Sequence, residues 1–318
     1  MFRAMIAASL LGLAACSPVA PPAATPPAPP AGLRLVDYAH EFDAVLQTEA
    51  DASPDRQLSA LEAHFADTLP GFYGSERFGD RAEAADRFRA DVLSRWPEKR
   101  EAALAVADEF AGRFDQAIAR FEAAVGPLPT ERPVYLLMSL GEFDGATRDF
   151  GDGENLYFGA DAISQYYPGA STMPFLQHEL FHLYHSPRMG ECPEIWCSLW
   201  SEGLATYTAE RLNPGASDIE LGLHLPEPIR PALDPRRREA ICEVRSRLDA
   251  TGSEAYNPLF TGMSGEATRF PARYGYLVGL WLAEHLGEGH DLSEMAEWHG
   301  PELRQRIVAG LAAMAECP

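Results

Sequence analysis

The chain has 318 residues, of which 46% are hydrophobic and 23% charged, so it can bury the core of one or two domains and is not a disordered chain. Its 47 acidic residues against 26 lysines and arginines give a net charge of −21, which repels phosphate backbones and excludes nucleic acid as an expected partner. The longest apolar run, near the N-terminus, is too short to cross a bilayer, so we expect no transmembrane domain.

Residues 1–15 have the pattern of a signal peptide. Arg3 precedes an apolar segment at 4–15, and small residues lead up to Cys16. This pattern resembles a bacterial lipoprotein signal, which is cut before the cysteine. The resemblance implies acyl chains on Cys16 and an extracytoplasmic protein that faces the periplasm and contacts the membrane through its lipid anchor only. An ordinary secretory signal with an incidental cysteine is the alternative, and it gives the same compartment.

Residues 16–32 are expected to form a linker. Twelve of the 16 residues at 17–32 are Pro or Ala, a composition that favours extended polyproline conformations with nothing to pack. The folded part therefore begins near Leu33. We divide it into a helical N-terminal subdomain at 33–130 and a second domain at 131–318.

The predicted elements run from helices to strands and back to helices. Apolar residues spaced three and four apart predict helices over 33–125. Residues 134–140 form a predicted buried strand, 141–153 are rich in turn residues, and 155–160 predict a second strand that pairs with the first. The pattern is helical again from Pro174 to the end. Strands first and helices afterwards indicate an α+β fold.

Four cysteines remain once Cys16 is assigned to lipid. This even number in an oxidising compartment predicts disulfides, and we expect Cys192 to pair with Cys197 and Cys242 with Cys317. The first pair would close the tight loop C-P-E-I-W-C at 192–197. A second metal site or free thiols are the alternatives.

The chemistry is concentrated in an H-E-x-x-H string at His178, Glu179 and His182. Two histidines four apart on a helix project within about 40° of each other, one turn apart, so both imidazoles can reach one ion. Glu179 lies to one side, where it can act on a metal-bound water without ligating the metal. A surface helix with coincidental histidines is the alternative.

A zinc hydrolase needs a third protein ligand and one open position for water. Glu202 follows His182 by twenty residues, which accommodates a loop and a return helix, and it is the stronger candidate. His185 would have to bend back along the helix axis to reach the ion. We therefore expect it behind the ligands or against substrate, or else as a solvated residue at the helix end.

An H-E-x-x-H string followed by a glutamate on the next helix resembles the gluzincin group of zinc peptidases. The W-x-E-G-L-A-x-Y string at 200–207 also resembles bacterial families described as predicted zinc-dependent proteases. The resemblance implies a zincin-like domain with a small antiparallel or mixed sheet, Zn²⁺ as cofactor and a peptide or protein substrate. It also implies that His178, His182 and Glu202 are the zinc ligands and that Glu179 is the general base. The metzincin pattern needs glycine and histidine where this chain has His185 and Arg188, and is excluded.

This chain departs from the gluzincin pattern after the third ligand. Several gluzincins place an aspartate four residues after the ligand glutamate to orient a zinc histidine, and this chain has Thr206 there. A hydroxyl orients a histidine less strongly. We expect Asp161, Glu194 or Glu210 to serve instead, or zinc affinity to be lower.

Further resemblance lies downstream. Aminopeptidase-like gluzincins carry a tyrosine three residues before a glycine, which stabilises the developing oxyanion, and Tyr276 matches that spacing, with Tyr274 in reserve. Arg273 is expected to bind a substrate carboxylate or a buried acid. Packed aromatics and a surface ion pair are the alternatives.

The predicted second strand also carries a resemblance. Gly153, Glu154 and Asn155 partly match the G-x-M-E-N element with which such aminopeptidases bind a free amino terminus, although an exposed turn glutamate is the alternative. In this group an edge strand beside the zinc helix pairs with extended substrate. Residues 155–159 are our candidate, so Asn155 and Gly159 are expected at the substrate.

Three function classes remain open. The first is a zinc peptidase of the cell envelope, acting either within peptides or as an aminopeptidase. The second is a non-catalytic zinc-containing lipoprotein that binds peptides or envelope partners. The third is a structural envelope protein whose histidines are incidental.

Overall fold

The structure, a computed structural model, describes residues 32–129, 131–151, 153–263, 265 and 268–318. The predicted signal peptide, Cys16 and nearly all of the linker lie outside these residues. Within the described ranges, no helix has both the length and the apolar composition of a membrane span.

The secondary structure is mostly helical, with one small sheet. The strands are β1 (Leu35–Asp37), β2 (Val134–Leu137), β3 (Gly145–Asp149) and β4 (Glu154–Gly159). The helices are α1 (Ala39–Thr48), α2 (Pro54–His64), α3 (Arg81–Phe88), α4 (Trp96–Ala124), α5 (Ala160–Tyr166), α6 (Thr172–Met189), α7 (Ile195–Leu212), α8 (Ile229–Leu233), α9 (Arg237–Ser246), α10 (Ser253–Phe260), α11 (Gly275–Leu286), α12 (Leu292–Met295) and α13 (Gly300–Met314). Short 3₁₀ turns lie at Ser75–Phe78 and Asp234–Arg236, and a π-helical turn lies at Arg89–Leu93.

The sheet is mixed, with the strand order β1-β2-β4-β3. β1 pairs in parallel with β2, and β2 pairs in parallel with β4, whereas β3 runs antiparallel to β4. The two predicted strands therefore do pair, but in parallel and without forming a hairpin. β3 lies inside the segment that the sequence predicted as turns, and β1 lies inside the predicted helical region.

β4 is an inner strand, so the prediction that residues 155–159 form the substrate-pairing edge is wrong. Both of its sides are paired, one with β2 and the other with β3. The edge strand next to β4 is β3, whose Thr147 pairs with Leu156. If this sheet binds an extended peptide on that side, the strand that offers its backbone is β3.

The two faces of the sheet are covered by aromatic side chains. The Phe158 ring of β4 lies 4.7 Å from Phe110 of α4 and 5.8 Å from Phe175 of α6. On the other face, Tyr135 and Tyr157 stack with ring centroids 4.7 Å apart. The alternation of side chains along each strand thus fixes α4 and α6 against the same face.

The long helix α4 joins the N-terminal helices to the rest of the core. Its buried residues are Trp96, Ala103, Ala107, Phe110, Phe114, Ala117 and Phe121. From Ala103 onwards they recur every three or four positions, which makes one apolar stripe of a helix. Residues 32–318 form one compact unit, in which β1 of the predicted subdomain pairs with β2 of the predicted second domain.

Two disulfides are present among the described residues, and they confirm the predicted pairing. Cys192 is bonded to Cys197, and Cys242 is bonded to Cys317. The first links the connection between α6 and α7 to the first turn of α7. The thiol groups of Cys192 and Cys197 are therefore not open to a second metal ion.

Candidate metal centre

Helix α6 carries both histidines of the H-E-x-x-H string. It begins after Ser171, whose hydroxyl accepts a hydrogen bond of 3.3 Å from the backbone N–H of Met173 and caps the helix. His178 and His182 lie one turn apart with ring centroids 4.8 Å apart, and their Nε2 atoms are separated by 3.1 Å. The two imidazoles therefore converge on one point, as predicted.

Helix α7 brings Glu202 to the same point. Its Oε2 atom lies 3.4 Å from Nε2 of His178 and 3.3 Å from Nε2 of His182. Ligand atoms about 2.0–2.1 Å from an ion at tetrahedral angles lie about 3.3–3.4 Å from one another, so the three separations fit one tetrahedral ion. His178, His182 and Glu202 thus form a group that can hold a metal ion.

The pKa shifts of Glu202 and His182 show how closely the carboxylate and the imidazole lie. Burial alone would raise the pKa of Glu202, but His182 and His178 hold it far below the usual range. Burial lowers the pKa of His182, yet the carboxylates of Glu202 and Glu179 raise it to about 9. Glu202 is therefore ionised at neutral pH, which is the form that ligates a metal.

Glu179 is half-buried between this group and the edge strand. Burial raises the pKa of its carboxyl group, and the neighbouring His178 and His182 oppose that rise. A Cβ atom on Gly145, the first residue of β3, would lie 2.9 Å from the carboxyl carbon of Glu179. A side chain at position 145 would therefore displace this carboxylate from its place against the strand.

Two cavities meet at Glu179. The first, which we call the inner pocket, has a volume of about 150 Å³ and the second, the outer cleft, about 580 Å³. The inner pocket is lined among others by Gly145, Tyr167, His178, Glu179, Arg273 and Tyr276. The outer cleft is lined among others by Arg132, Thr147, Asn155, Glu179, His182 and Glu202. The group of possible metal ligands, which we call the donor group (His178, His182 and Glu202), is thus accessible from two sides.

Tyr276 lies at the inner pocket, next to His178. Their ring planes are inclined by 30°, with centroids 6.2 Å apart. Burial raises the pKa of the Tyr276 hydroxyl well above its ordinary value, with a further contribution from Glu202, so the hydroxyl keeps its proton and can donate. Tyr274 points elsewhere and donates to Oε1 of Glu243 at 3.1 Å, so it does not serve as the reserve.

The structure places other predicted residues away from the donor atoms. The hydroxyl of Thr206 donates to the backbone carbonyl of Glu202 at 2.8 Å and does not reach a histidine. The carboxylate of Asp161 binds the β2–β3 connection, where it accepts hydrogen bonds from the backbone N–H groups of Ser139 and Gly141. His185 is buried against Phe181, and neither ring nitrogen has a hydrogen-bond partner in the described chain, so it is not a solvated residue.

Gly159 is not a substrate contact, contrary to the prediction. A Cβ atom there would lie 2.1 Å from the carbonyl oxygen of Phe143, and the N–H of Gly159 donates to the carbonyl of Asp144. It is therefore covered by the chain that leads into β3. Asn155 does line the outer cleft, and its side-chain amide donates to the carbonyl of Gly153 at 3.0 Å.

Sequence reasoning missed two residues beside the site. The Ser201 hydroxyl lies 3.4 Å from Nδ1 of His182. This is the other ring nitrogen, whereas Nε2 faces His178 and Glu202. Tyr256 of α10 has a pKa raised to about 12 by burial and by the charge of Glu202. Ser201 adjoins Glu202 in sequence and offered that signal, whereas nothing in the sequence links Tyr256 to the H-E-x-x-H string.

Comparison of the sequence and fold with models of protein families, with curated proteins and with solved structures yields no match.

Proposed function

We propose that this chain is a zinc-dependent peptidase of the cell envelope. The observation that carries the proposal is the convergence of His178, His182 and Glu202 on one point, with the carboxylate of Glu179 beside them and cavities on both sides. Two imidazoles and one carboxylate form a donor set typical of catalytic zinc, which keeps a further position open. An extended peptide along β3 can occupy both cavities, with the bond to be cleaved next to Glu179.

The protein residues have separate roles in the proposed reaction. A bound zinc ion would supply Lewis acidity towards the attacking water and the peptide carbonyl. Glu179 accepts a proton from the water and delivers it to the leaving amine nitrogen, and its burial-raised pKa suits both transfers. Tyr276 keeps its proton and donates a hydrogen bond to the carbonyl oxygen as negative charge develops there.

The metal is tested first, by mass spectrometric metal analysis of the purified protein. We expect about one zinc per wild-type chain and per Glu179→Gln chain, and a large loss in His182→Ala and Glu202→Gln. The control is His290→Gln, which alters a surface histidine that contacts Glu294. Wild-type protein that binds no metal after incubation with zinc would contradict the proposal and favour a structural role.

The chemistry is tested with a diverse peptide mixture whose cleavage products are identified by mass spectrometry. Wild-type protein should cleave, and Glu179→Gln should be about 10²- to 10⁴-fold slower while retaining zinc, because it loses the general base. The positions of the cuts separate internal cleavage from removal of terminal residues. Zinc-loaded wild type that binds peptides without cleaving them would instead favour the non-catalytic lipoprotein.

A further inference from the structure

The inner pocket contains a guanidinium group that forms no hydrogen bond or ion pair with the described residues. Arg273 precedes α11 and has a φ of 69°, a left-handed conformation that is rare outside glycine. Its backbone N–H donates to the carbonyl of Pro258 at 3.0 Å, and its carbonyl accepts from the N–H of Tyr276 at 3.1 Å. The backbone is therefore held on both sides in a conformation that costs energy, which is typical of functional positions.

The side chain of Arg273 reaches towards the pocket that adjoins the donor group. Its guanidinium carbon lies 4.7 Å from the ring centroid of Tyr276. A Cβ atom added to Gly222 would lie 3.8 Å from Nη2 of Arg273 and 3.5 Å from the hydroxyl of Tyr167, so these two groups flank the same part of the pocket wall. The guanidinium thus lies at the inner pocket, close to Tyr276.

The hydrogen-bonding capacity of this guanidinium is not used by the protein. Its Nε atom is buried without a hydrogen-bond partner, and no ion pair joins the group to a carboxylate of the described residues. A buried N–H without an acceptor is unfavourable, and more so on a charged group. An acceptor brought by a ligand would remove this penalty.

Two of the three acidic residues that line the inner pocket accept hydrogen bonds from other donors. Asp144 accepts from the N–H of Gly145 and from the hydroxyl of Tyr167, both at 3.0 Å. Glu220 accepts from the N–H and the hydroxyl of Ser217 at 2.7 and 2.8 Å. Arg273 is the one cation among the described residues that line the inner pocket.

We propose that the inner pocket recognises a carboxylate of the substrate through Arg273, on the residue next to the bond that is cleaved. This inference rests on the proposed peptidase function and names its substrate class. The planar guanidinium matches a carboxylate in a two-point geometry. A volume of about 150 Å³ leaves room for little more than one small residue, which favours the free α-carboxylate of a C-terminal residue over an acidic side chain.

The test uses pairs of short N-acylated peptides hydrolysed by zinc-loaded protein. One pair has the same sequence with a free C-terminal carboxylate or a C-terminal amide. A second pair, both amides, has Glu or Gln after the bond to be cleaved. We expect kcat/KM to fall by about 10- to 100-fold from acid to amide, the size of a lost charge-assisted contact. A preference for Glu over Gln without an acid preference would identify the side-chain carboxylate as the recognised group.

Variants of Arg273 test whether this residue causes the preference for the acid over the amide. Arg273→Gln should hydrolyse acid and amide at nearly equal rates, and Arg273→Lys should keep part of the preference. The control is Arg269→Gln, an exposed arginine near the same loop, which should keep the full preference. If the Arg273 variants fail to fold, the wild-type ratios decide.

Equal hydrolysis of both pairs by wild type would overturn the carboxylate inference while leaving the peptidase proposal intact. Absence of any hydrolysis would contradict the peptidase proposal. In that case, binding of the same acid and amide peptides to zinc-loaded Glu179→Gln protein still decides about Arg273. Tighter binding of the acid supports the inference, and equal or undetectable binding overturns it.

Discussion

Gly203 of α7 and Gly279 of α11 touch through their backbones. A Cβ atom on Gly203 would lie 2.3 Å from the carbonyl carbon of Gly279, and one on Gly279 would lie 2.8 Å from Cα of Gly203. Glu202 immediately precedes the first glycine, and Tyr276 lies one helical turn before the second. This close approach therefore brings a donor residue of α7 and the tyrosine of α11 into one site.

Gly279→Ala should separate the two helices. The new methyl group would meet the backbone carbonyl of Leu199 at 2.6 Å, which cannot move cheaply, and overpacking of this kind costs about 1–3 kcal/mol of unfolding free energy. We expect a lower melting temperature and weaker zinc binding. Gly112→Ala is the control because no atom lies near its Cβ position on α4, and it should stabilise by about 0.5–1 kcal/mol. Equal behaviour of the two variants would contradict this account of the contact.

If the chain is the zinc peptidase that we propose, Gly145→Ala should impair catalysis without removing the metal. Its methyl group would displace the carboxylate of Glu179, and a misplacement of about 1 Å can cost roughly 10²-fold in rate. Zinc content should stay at the wild-type value. In a Glu179→Gln background the same substitution should cause little further loss, because both changes disable one group. Additive losses in the double variant would show that position 145 acts by another route.

Ser201→Ala should weaken zinc binding. The serine hydroxyl is the hydrogen-bond partner next to Nδ1 of His182, and loss of such partners typically costs about tenfold in metal affinity. Thr206→Val should leave the affinity near the wild-type value, because that hydroxyl contacts only the backbone of its own helix. Competition with a chromogenic chelator measures both. A larger effect of the threonine substitution would reverse these assignments.

Of the positions in the predictions for Gly145 and Ser201, only Ser201 has a sequence signal, its place next to Glu202. The H-E-x-x-H string is local, since helical spacing alone decides where His178 and His182 point. β3 was missed because the residues from Gly145 to Asp149 are small or polar and are held as a strand only by pairing with β4. β1 was missed because three residues carry no periodicity.

The residues of the candidate site likewise divide into those that local sequence predicts and those that depend on the whole fold. Glu202 could be predicted from its distance along the chain, because α6 and α7 are consecutive helices joined by a short loop. The failure of Gly159 as a substrate contact depended on which side of β4 was already paired, which is a property of the whole sheet. The position of Tyr256 depended on α10, whose contact with the site has no trace in local sequence.

Asp43 should make the fold sensitive to acid. Its carboxylate accepts from Nε and Nη2 of Arg100 at 2.6 and 2.7 Å and from Nε1 of Trp96 at 3.3 Å. Burial would raise the pKa of Asp43, but Arg100 lowers it below the ordinary value. The folded state is therefore stabilised above the unfolded pKa near 3.8, and this contribution disappears as the pH falls through the lower folded pKa.

Urea unfolding at neutral and acidic pH measures this contribution. Asp43→Asn should lose about 2 kcal/mol at neutral pH and show a smaller loss below the unfolded pKa of 3.8, where the unfolded state takes up a proton at this residue. The control is Asp86→Asn, which breaks the exposed pair with Arg89 and should change stability by less than about 0.5 kcal/mol. A pH-independent difference between wild type and Asp43→Asn would contradict the assignment.

The two disulfides should differ in their contribution to stability. Cys242 and Cys317 close a loop of sequence separation 75, whereas Cys192 and Cys197 are only 5 apart. On chain entropy, replacing the first pair by serines should cost about 4 kcal/mol and replacing the second about 2 kcal/mol. Urea unfolding of the two double variants compares them. The reverse order would indicate that the shorter bridge acts mainly on the folded state.

The unequal cavities on either side of Glu179 affect product release if the chain cleaves peptides. A fragment in about 150 Å³ contacts protein on most of its surface, whereas one in about 580 Å³ retains much of its freedom. The two products should therefore depart in order, with the fragment in the larger space leaving first. The fragment retained longest should then limit the steady-state rate and compete with incoming substrate.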